Sequence, residues 1–203
     1  MIPELFKKNV PGSYEALRSA VVGIAGCGGL GSNAAVALVR AGVGSLVLAD
    51  FDRVEESNLN RQYYFQTDIG KKKVEALSRH LLAINPAVRL TPIDQKITPP
   101  DVPEIFGTAD LLIEAFDNAA SKQWLIESWC MAYPDRPIVC ANGLSGIGKT
   151  AAIVVRRAGR VHVAGDGESD MSMGLCSARV AMVANMQANI AIELLLNRSA
   201  VNL

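Results

Sequence analysis

The chain has 203 residues, half of them hydrophobic and a fifth charged, with Lys+Arg and Asp+Glu balanced at 20 each. That length accommodates one core-forming domain over residues 1–203, and the balanced charge gives no general electrostatic case for nucleic acid or an anionic membrane. The N-terminus MIPELFKKNV lacks the apolar region of a signal peptide, and no uninterrupted apolar run reaches membrane-spanning length.

Residues 1–19 are polar and mixed, broken by Pro3 and Pro11, and read as an N-terminal arm with a helical turn at Tyr14 to Arg18. Ala20 to Ser32, AVVGIAGCGGLGS, is a β-branched apolar run that breaks into glycines, and a helix-forming stretch follows from Asn33 to Arg40. Gly26, Gly28 and Gly31 satisfy G-x-G-x-x-G in the strand–turn–helix context the motif requires, with Gly29 inside the same turn. Glycine has no Cβ, so backbone amides can approach a phosphate, and the helix that follows offers unpaired N–H groups at its positive end. A second strand, Ser45 to Ala49, ends on Asp50, where an acid can bind ribose hydroxyls. The turn by itself does not choose between NAD, FAD and ATP.

Residues 51–69 are too long and too rich in charge and amide for an ordinary strand-to-helix link, and such connections tend to carry function. A helix follows from Lys71 to Ala83, with Val74, Leu77, Leu81 and Ile84 at helical spacing, and Asn85-Pro86 stops it. Val88 to Ile93 is a third strand. Thr98 to Gly107 is a proline-marked connection with room for one helical turn. Asp110 to Phe116 is a central strand that delivers Asp117 and Asn118 to the ligand edge of a parallel sheet. A helix from Ser121 to Ala132 and a strand from Pro137 to Ala141 come next. Ala151 to Val155 and Arg160 to Ala164 read as a hairpin, residues 165–174 as a flexible loop, and Leu175 to Leu196 as a long buried helix. The expected fold is α/β and Rossmann-like, its sheet parallel in the first half and antiparallel at the end, with helices on both faces. Gly143 to Thr150, GLSGIGKT, matches the P-loop pattern letter for letter. A P-loop must open a helix, however, and a strand-like run follows here, so the stretch reads as a glycine-rich loop.

The connection after the second strand narrows the ligand. Arg61 and Lys73 can both return to the nucleotide edge, and Asp117 arrives there from the fourth strand. Two cations and one acid suit a triphosphate carrying Mg²⁺ better than the diphosphate of NAD. Each residue has an ordinary reading when taken singly: Arg61 as surface loop, Lys73 as solvated helix lysine, Asp117 as helix N-cap. Their order and spacing favour the joint reading.

GCGGLGS, DFDRVEESNLNRQ, GKKKVEAL and EAFDN, in that order, resemble the adenylating domain of ubiquitin-activating-type enzymes. The bacterial ThiF and MoeB proteins are the closest members, and the short stand-alone ThiF-like form of thiamine biosynthesis is the best match, over residues 18–198. The resemblance implies a cytoplasmic adenylyltransferase that binds Mg-ATP and the Gly-Gly tail of a ubiquitin-like, ThiS-like sulfur carrier. The tail carboxylate attacks the α-phosphate, an acyl-adenylate forms and pyrophosphate leaves. Carried over by position, Gly26, Gly28, Gly29 and Gly31 serve the phosphates, and Asp50, with Asp52 nearby, serves the ribose. Ser57, Asn58, Leu59, Asn60, Arg61 and Gln62 wrap the nucleotide. Lys73 stabilises the α-phosphate, and Asp117, beside Asn118, binds Mg²⁺. Arg61, Lys73 and Asp117 are the expected catalytic set. The four cysteines, Cys27, Cys130, Cys140 and Cys176, form no C-x-x-C pair, so the structural zinc of many relatives is not expected and reduced thiols are. Cys176 lies near the loop where some relatives carry a reactive cysteine, and reads first as a small packed residue. A homodimer is a further expectation from the resemblance. The alternatives are a ThiF-like dehydratase that activates a carboxylate on modified tRNA, an NAD-dependent oxidoreductase, and a non-catalytic nucleotide-binding scaffold.

Overall fold

The structure is a computed structural model and describes residues 2–198; Met1 and residues 199–203, which the single-domain expectation also covers, lie outside the described residues. In chain order the elements are α1 (Ser13–Leu17), β1 (Val21–Ala25), α2 (Gly29–Ala41), β2 (Ser45–Ala49), α3 (Lys73–Ile84) and β3 (Arg89–Ile93). They continue with α4 (Asp101–Phe106), β4 (Leu111–Glu114), α5 (Ala119–Ala132), β5 (Ile138–Ala141), β6 (Val154–Ala158), β7 (Val161–Gly165) and α6 (Ser177–Arg198). The sheet has seven strands in the order β3-β2-β1-β4-β5-β7-β6. β7 runs parallel to β5, and the antiparallel pairing is confined to the β6–β7 hairpin.

Strand alternation divides the core. Val22, Ile24, Leu46, Leu48, Leu111 and Ile113 face a layer built from α1, α2, α3 and α6. Val47, Leu112, Ile138 and Cys140 face the other way, against Val102 and Phe106 of α4 and Leu125 and Trp129 of α5. Both faces are thus covered, which is why the central strands read as unbroken apolar runs. β3 lies at an edge and is largely exposed, and there Pro92 is tolerated. α6 is long and apolar enough to cross a membrane by length and composition, yet its apolar side packs into the domain against α2 and β5.

Several boundaries differ from the sequence expectation. α2 begins at Gly29 rather than Asn33 because the glycine turn is itself the first helical turn. The proline-marked connection contains α4, whose Pro103 stands in the first turn, where a missing N–H is harmless. Residues 150–152 form a 3-10 turn, so β6 starts at Val154. The loop after β7 is internally bonded: Asp166 accepts from the amides of Glu168 and Ser169 and pairs with buried Arg179. Burial works to raise the Asp166 carboxyl pKa, but those amides and the guanidinium outweigh it and hold the group well below the usual range. The GLSGIGKT segment opens no α-helix, and Lys149 is exposed in left-handed backbone at φ 48°.

Candidate nucleotide-binding site

β1, β2 and β4 end side by side, and the chain leaves each of them into one cleft of about 580 Å³. This crevice at the carboxyl ends of parallel strands is where open α/β sheets take ligands.

The first wall is the glycine turn. Gly26 has φ +96°, and a Cβ there would stand 2.7 Å from the Ala115 carbonyl oxygen. A Cβ on Gly31 would fall 1.8 Å from the Gly26 carbonyl oxygen, so only glycine lets α2 close onto the turn. Gly28, Gly29 and Leu30 line the cleft. The first-turn amides of α2 have no partner within the helix.

Asp50 stands opposite that turn. Its Oδ2 accepts from the Cys27 amide at 2.6 Å and its Oδ1 from the Asp52 amide at 2.8 Å. Burial raises its pKa, against the pull of Lys73 and the two amides. Lys73 begins α3 with its side chain 7% exposed and its Nζ 2.7 Å from Asp52 Oδ2. Tyr64, buried, donates its hydroxyl to the carbonyls of Cys27 and Lys73 and so joins the glycine turn to the start of α3.

The long connection is folded around Asn58. Its Oδ1 accepts from the Glu55 amide, and its carbonyl accepts from the amides of Arg61 and Gln62. Arg61 reaches the cleft with its guanidinium held by Asn60 Oδ1 at 2.7 Å and by the Ser57 carbonyl at 3.3 Å. Asn33 of α2 donates to the Arg61 carbonyl, and Ser32 Oγ accepts from the Tyr63 amide, fastening this connection to α2. Gln62 lines the cleft, and its buried Oε1 has no hydrogen-bond partner among the described residues, leaving an acceptor for a ligand hydroxyl.

The opposite wall comes from β4. Asp117 and Asn118 follow it into the cleft. Asn118 caps α5 by accepting from the Ser121 amide at 2.8 Å, and Asp117 is exposed, with one long bond from Asn118 Nδ2 at 3.4 Å.

The structure therefore brings together Gly26, Gly28, Gly29, Asp50, Asp52, Arg61, Gln62, Lys73, Asp117 and Asn118. It does not bring Gly31, Ser57, Asn58, Leu59 or Asn60 to the cleft wall. Gly31 lies under the turn, Leu59 packs against the core, and Ser57, Asn58 and Asn60 hold the connection and the Arg61 guanidinium. Cys176, half-buried, precedes α6 and its carbonyl accepts from the Val180 amide. The sequence reading missed three features of the wall. Lys96 sits 5.6 Å from the centre of the exposed Phe51 ring, Phe116 packs on Trp124, and Lys122 pairs with buried Glu114. Glu114 carried a signal, as a charge inside the otherwise apolar run LLIEAF.

Chemically, the cleft sets a helix N-terminus, Arg61 and the Asp52-paired Lys73 on one side and Asp117 on the other. Among the described residues no group of three or more His, Cys, Asp or Glu converges on a metal position. Asp117, exposed on its wall of the cleft, suits Mg²⁺ that arrives on substrate phosphates, since that ion commonly takes only one or two protein carboxylates there.

Among proteins of known activity, the chain is 39% identical over 134 residues to the sulfur carrier protein ThiS adenylyltransferase of Escherichia coli, covering 66% of this chain and 52% of that protein. It is 40% identical over 129 residues to the adenylyltransferase and sulfurtransferase uba4 of Aspergillus clavatus, covering 63% of this chain and 26% of that protein. The chain thus spans about a quarter to a half of the length of these relatives. Of solved structures, E. coli tRNA N6-threonylcarbamoyladenosine dehydratase TcdA in complex with AMP superposes with a TM-score of 0.83 at 24% identity, over 93% of this chain and 90% of that one. E. coli MccB with ATP superposes with a TM-score of 0.72 at 22% identity, over 90% of this chain and 57% of that one. These two likenesses establish the Rossmann-like fold. A model of the ThiF family matches residues 4–203, and the chain belongs to that family.

Proposed function

We propose that this protein adenylates the C-terminal carboxylate of a ubiquitin-like sulfur carrier with ATP, releasing pyrophosphate, in the sulfur-transfer branch of thiamine (thiazole) synthesis. The observation that carries the reading is the meeting of the α2 N-terminus, Arg61, Lys73 and Asp117 in one cleft. The similarity to the ThiS adenylyltransferase and to uba4 supports the choice of a sulfur carrier as acceptor.

The attacking group is already a carboxylate, so no general base is required. The task is to hold two anions in line and to stabilise charge on phosphoryl oxygens. Arg61 offers a fork to phosphate oxygens and Lys73 a point charge, while the first turn of α2 offers amides. Asp50 and Gln62 Oε1, which has no partner among the described residues, would accept from the ribose hydroxyls. Asp117 would hold Mg²⁺, which when bound neutralises phosphate charge. The four cysteines are free thiols, which supports a reducing, cytoplasmic setting. We further infer a homodimer, on the resemblance alone.

A second reading is a TcdA-like dehydratase acting on modified tRNA; the match to TcdA over nine-tenths of both chains favours it. The balanced charge speaks against a broad phosphate-binding face. ATP–pyrophosphate exchange with Mg²⁺ tests both. Exchange that requires a Gly-Gly-ending carrier is expected. Turnover of ATP that requires threonylcarbamoyl-modified tRNA would replace the first reading with the second, and no turnover with either would leave a nucleotide-binding scaffold.

A further inference from the structure

Glu114 is the last residue of β4, and its side chain is fully buried. Both of its oxygens accept from Lys122 Nζ, at 3.0 and 2.9 Å, and Oε1 also accepts from the Phe116 amide at 2.7 Å. Its carbonyl receives Gln187 Nε2 from α6 at 2.9 Å. Lys122 lies in the first turns of α5, on the cleft wall, with its own amide bonded to the Asn118 carbonyl at 3.1 Å. Residues 114–122 therefore form a closed ring of hydrogen bonds, with Asp117 at its outer bend. Among the described residues Asp117 itself has only the long bond from Asn118, so its direction is set by the turn that carries it.

A buried ion pair gives little stability over apolar side chains of the same volume, so core packing alone does not account for a charge at the end of β4. Its distinctive effect is geometric. We propose that Glu114 and Lys122 are a positioning pair that fixes the β4–α5 turn so that the Asp117 carboxylate meets phosphate-bound Mg²⁺. This rests on the role given to Asp117 in the proposed function. The pair touches no reacting atom; it acts through Asp117.

The test is ATP binding by calorimetry, with and without Mg²⁺, on full-length protein. Lys122→Met should lose about tenfold of the Mg²⁺-dependent gain in affinity, the usual scale for groups that orient a metal ligand, beyond any loss it shows in metal-free ATP binding. Lys122→Arg, which can still fork onto Glu114, should recover the gain. In an Asp117→Asn background, Lys122→Met should change nothing more, because coupled residues are not additive. Glu114→Gln combined with Lys122→Met removes the stranded buried charge, and should match wild type in thermal midpoint yet keep the Mg²⁺ defect. Equal losses with and without Mg²⁺, or an additive loss beside Asp117→Asn, would overturn the pair's role. So would restoration of Mg²⁺ sensitivity whenever the thermal midpoint is restored. Wild-type binding indifferent to Mg²⁺ would overturn the role of Asp117 in the proposed function, and the pair's role with it.

Discussion

Replacing Lys73 by Met separates chemistry from folding. The lysine side chain is 7% exposed and its Asp52 partner is 48% exposed. Methionine keeps most of the buried stem volume, so packing is preserved. The Asp52 carboxylate left behind can hydrate, and a pair with one partner in water contributes about 1 kcal/mol or less. The fold should therefore survive with a small fall in thermal midpoint. The reaction should not. A cation aimed at charge that develops on phosphoryl oxygen is worth about 10²–10³ in rate by analogy with oxyanion donors, or roughly 3–4 kcal/mol. ATP–pyrophosphate exchange in the presence of the cognate carrier reads the rate, and thermal denaturation reads the fold. Exchange within about threefold of wild type would refute the assignment of Lys73, because an effect that small lies below one oxyanion-type contact. A rate loss matched by an equal loss of folded protein would show that Lys73 acts only as a core residue.

Gly31→Ala should weaken both folding and ATP binding, since its Cβ would sit 1.8 Å from the Gly26 carbonyl oxygen and must push α2 off the turn; an overpacking cost of about 1–3 kcal/mol is expected in chemical denaturation, and unchanged stability would contradict the close packing. Asp68 gives a pH signature. Its side chain is fully buried and accepts from Arg79, His80 and the Phe65 amide. Burial works to raise its carboxyl pKa, but those partners prevail and hold it below the ordinary value. A carboxylate whose pKa is lower folded than unfolded contributes stability that is full above its unfolded value, about 3.9, and is lost as pH falls through the folded value. Asp68→Asn should therefore be less stable than wild type by about 1 kcal/mol at neutral pH, since the Arg79 partner is half-exposed and can hydrate, with the gap closing as the solution is acidified below about pH 4. A gap independent of pH would assign the loss to packing instead.

What the sequence disclosed was local. The glycine spacing, Asp50 at the end of β2 and Asp117 at the end of β4 depend on positions along one strand or turn. Lys73 was legible only by its order after Arg61, since nothing in GKKKVEAL says which lysine is buried. The role of residues 57–60 was not legible, because it depends on Asn58 turning back on Glu55 and on Ser32 and Asn33 reaching over from α2. α4 was legible only as a single helical turn, because it is short and carries a proline, and the direction of β7 was hidden by the fact that a hairpin pattern does not reveal which neighbour a strand takes. The Glu114–Lys122 pair spans eight residues across a strand, a turn and a helix, beyond the reach of any single periodicity.

Tyr64 bonds the glycine turn and the start of α3 at once, and Asn33 ties α2 to the strand of chain that carries Arg61. The dipoles that would meet the phosphates in the proposed reaction are therefore fixed to one another before any nucleotide arrives. Water around a triphosphate must reorient as charge moves from the α-phosphorus toward pyrophosphate. A frame braced in this way has little reorienting left to do, so in the proposed reaction its field would act at full strength when the bond breaks.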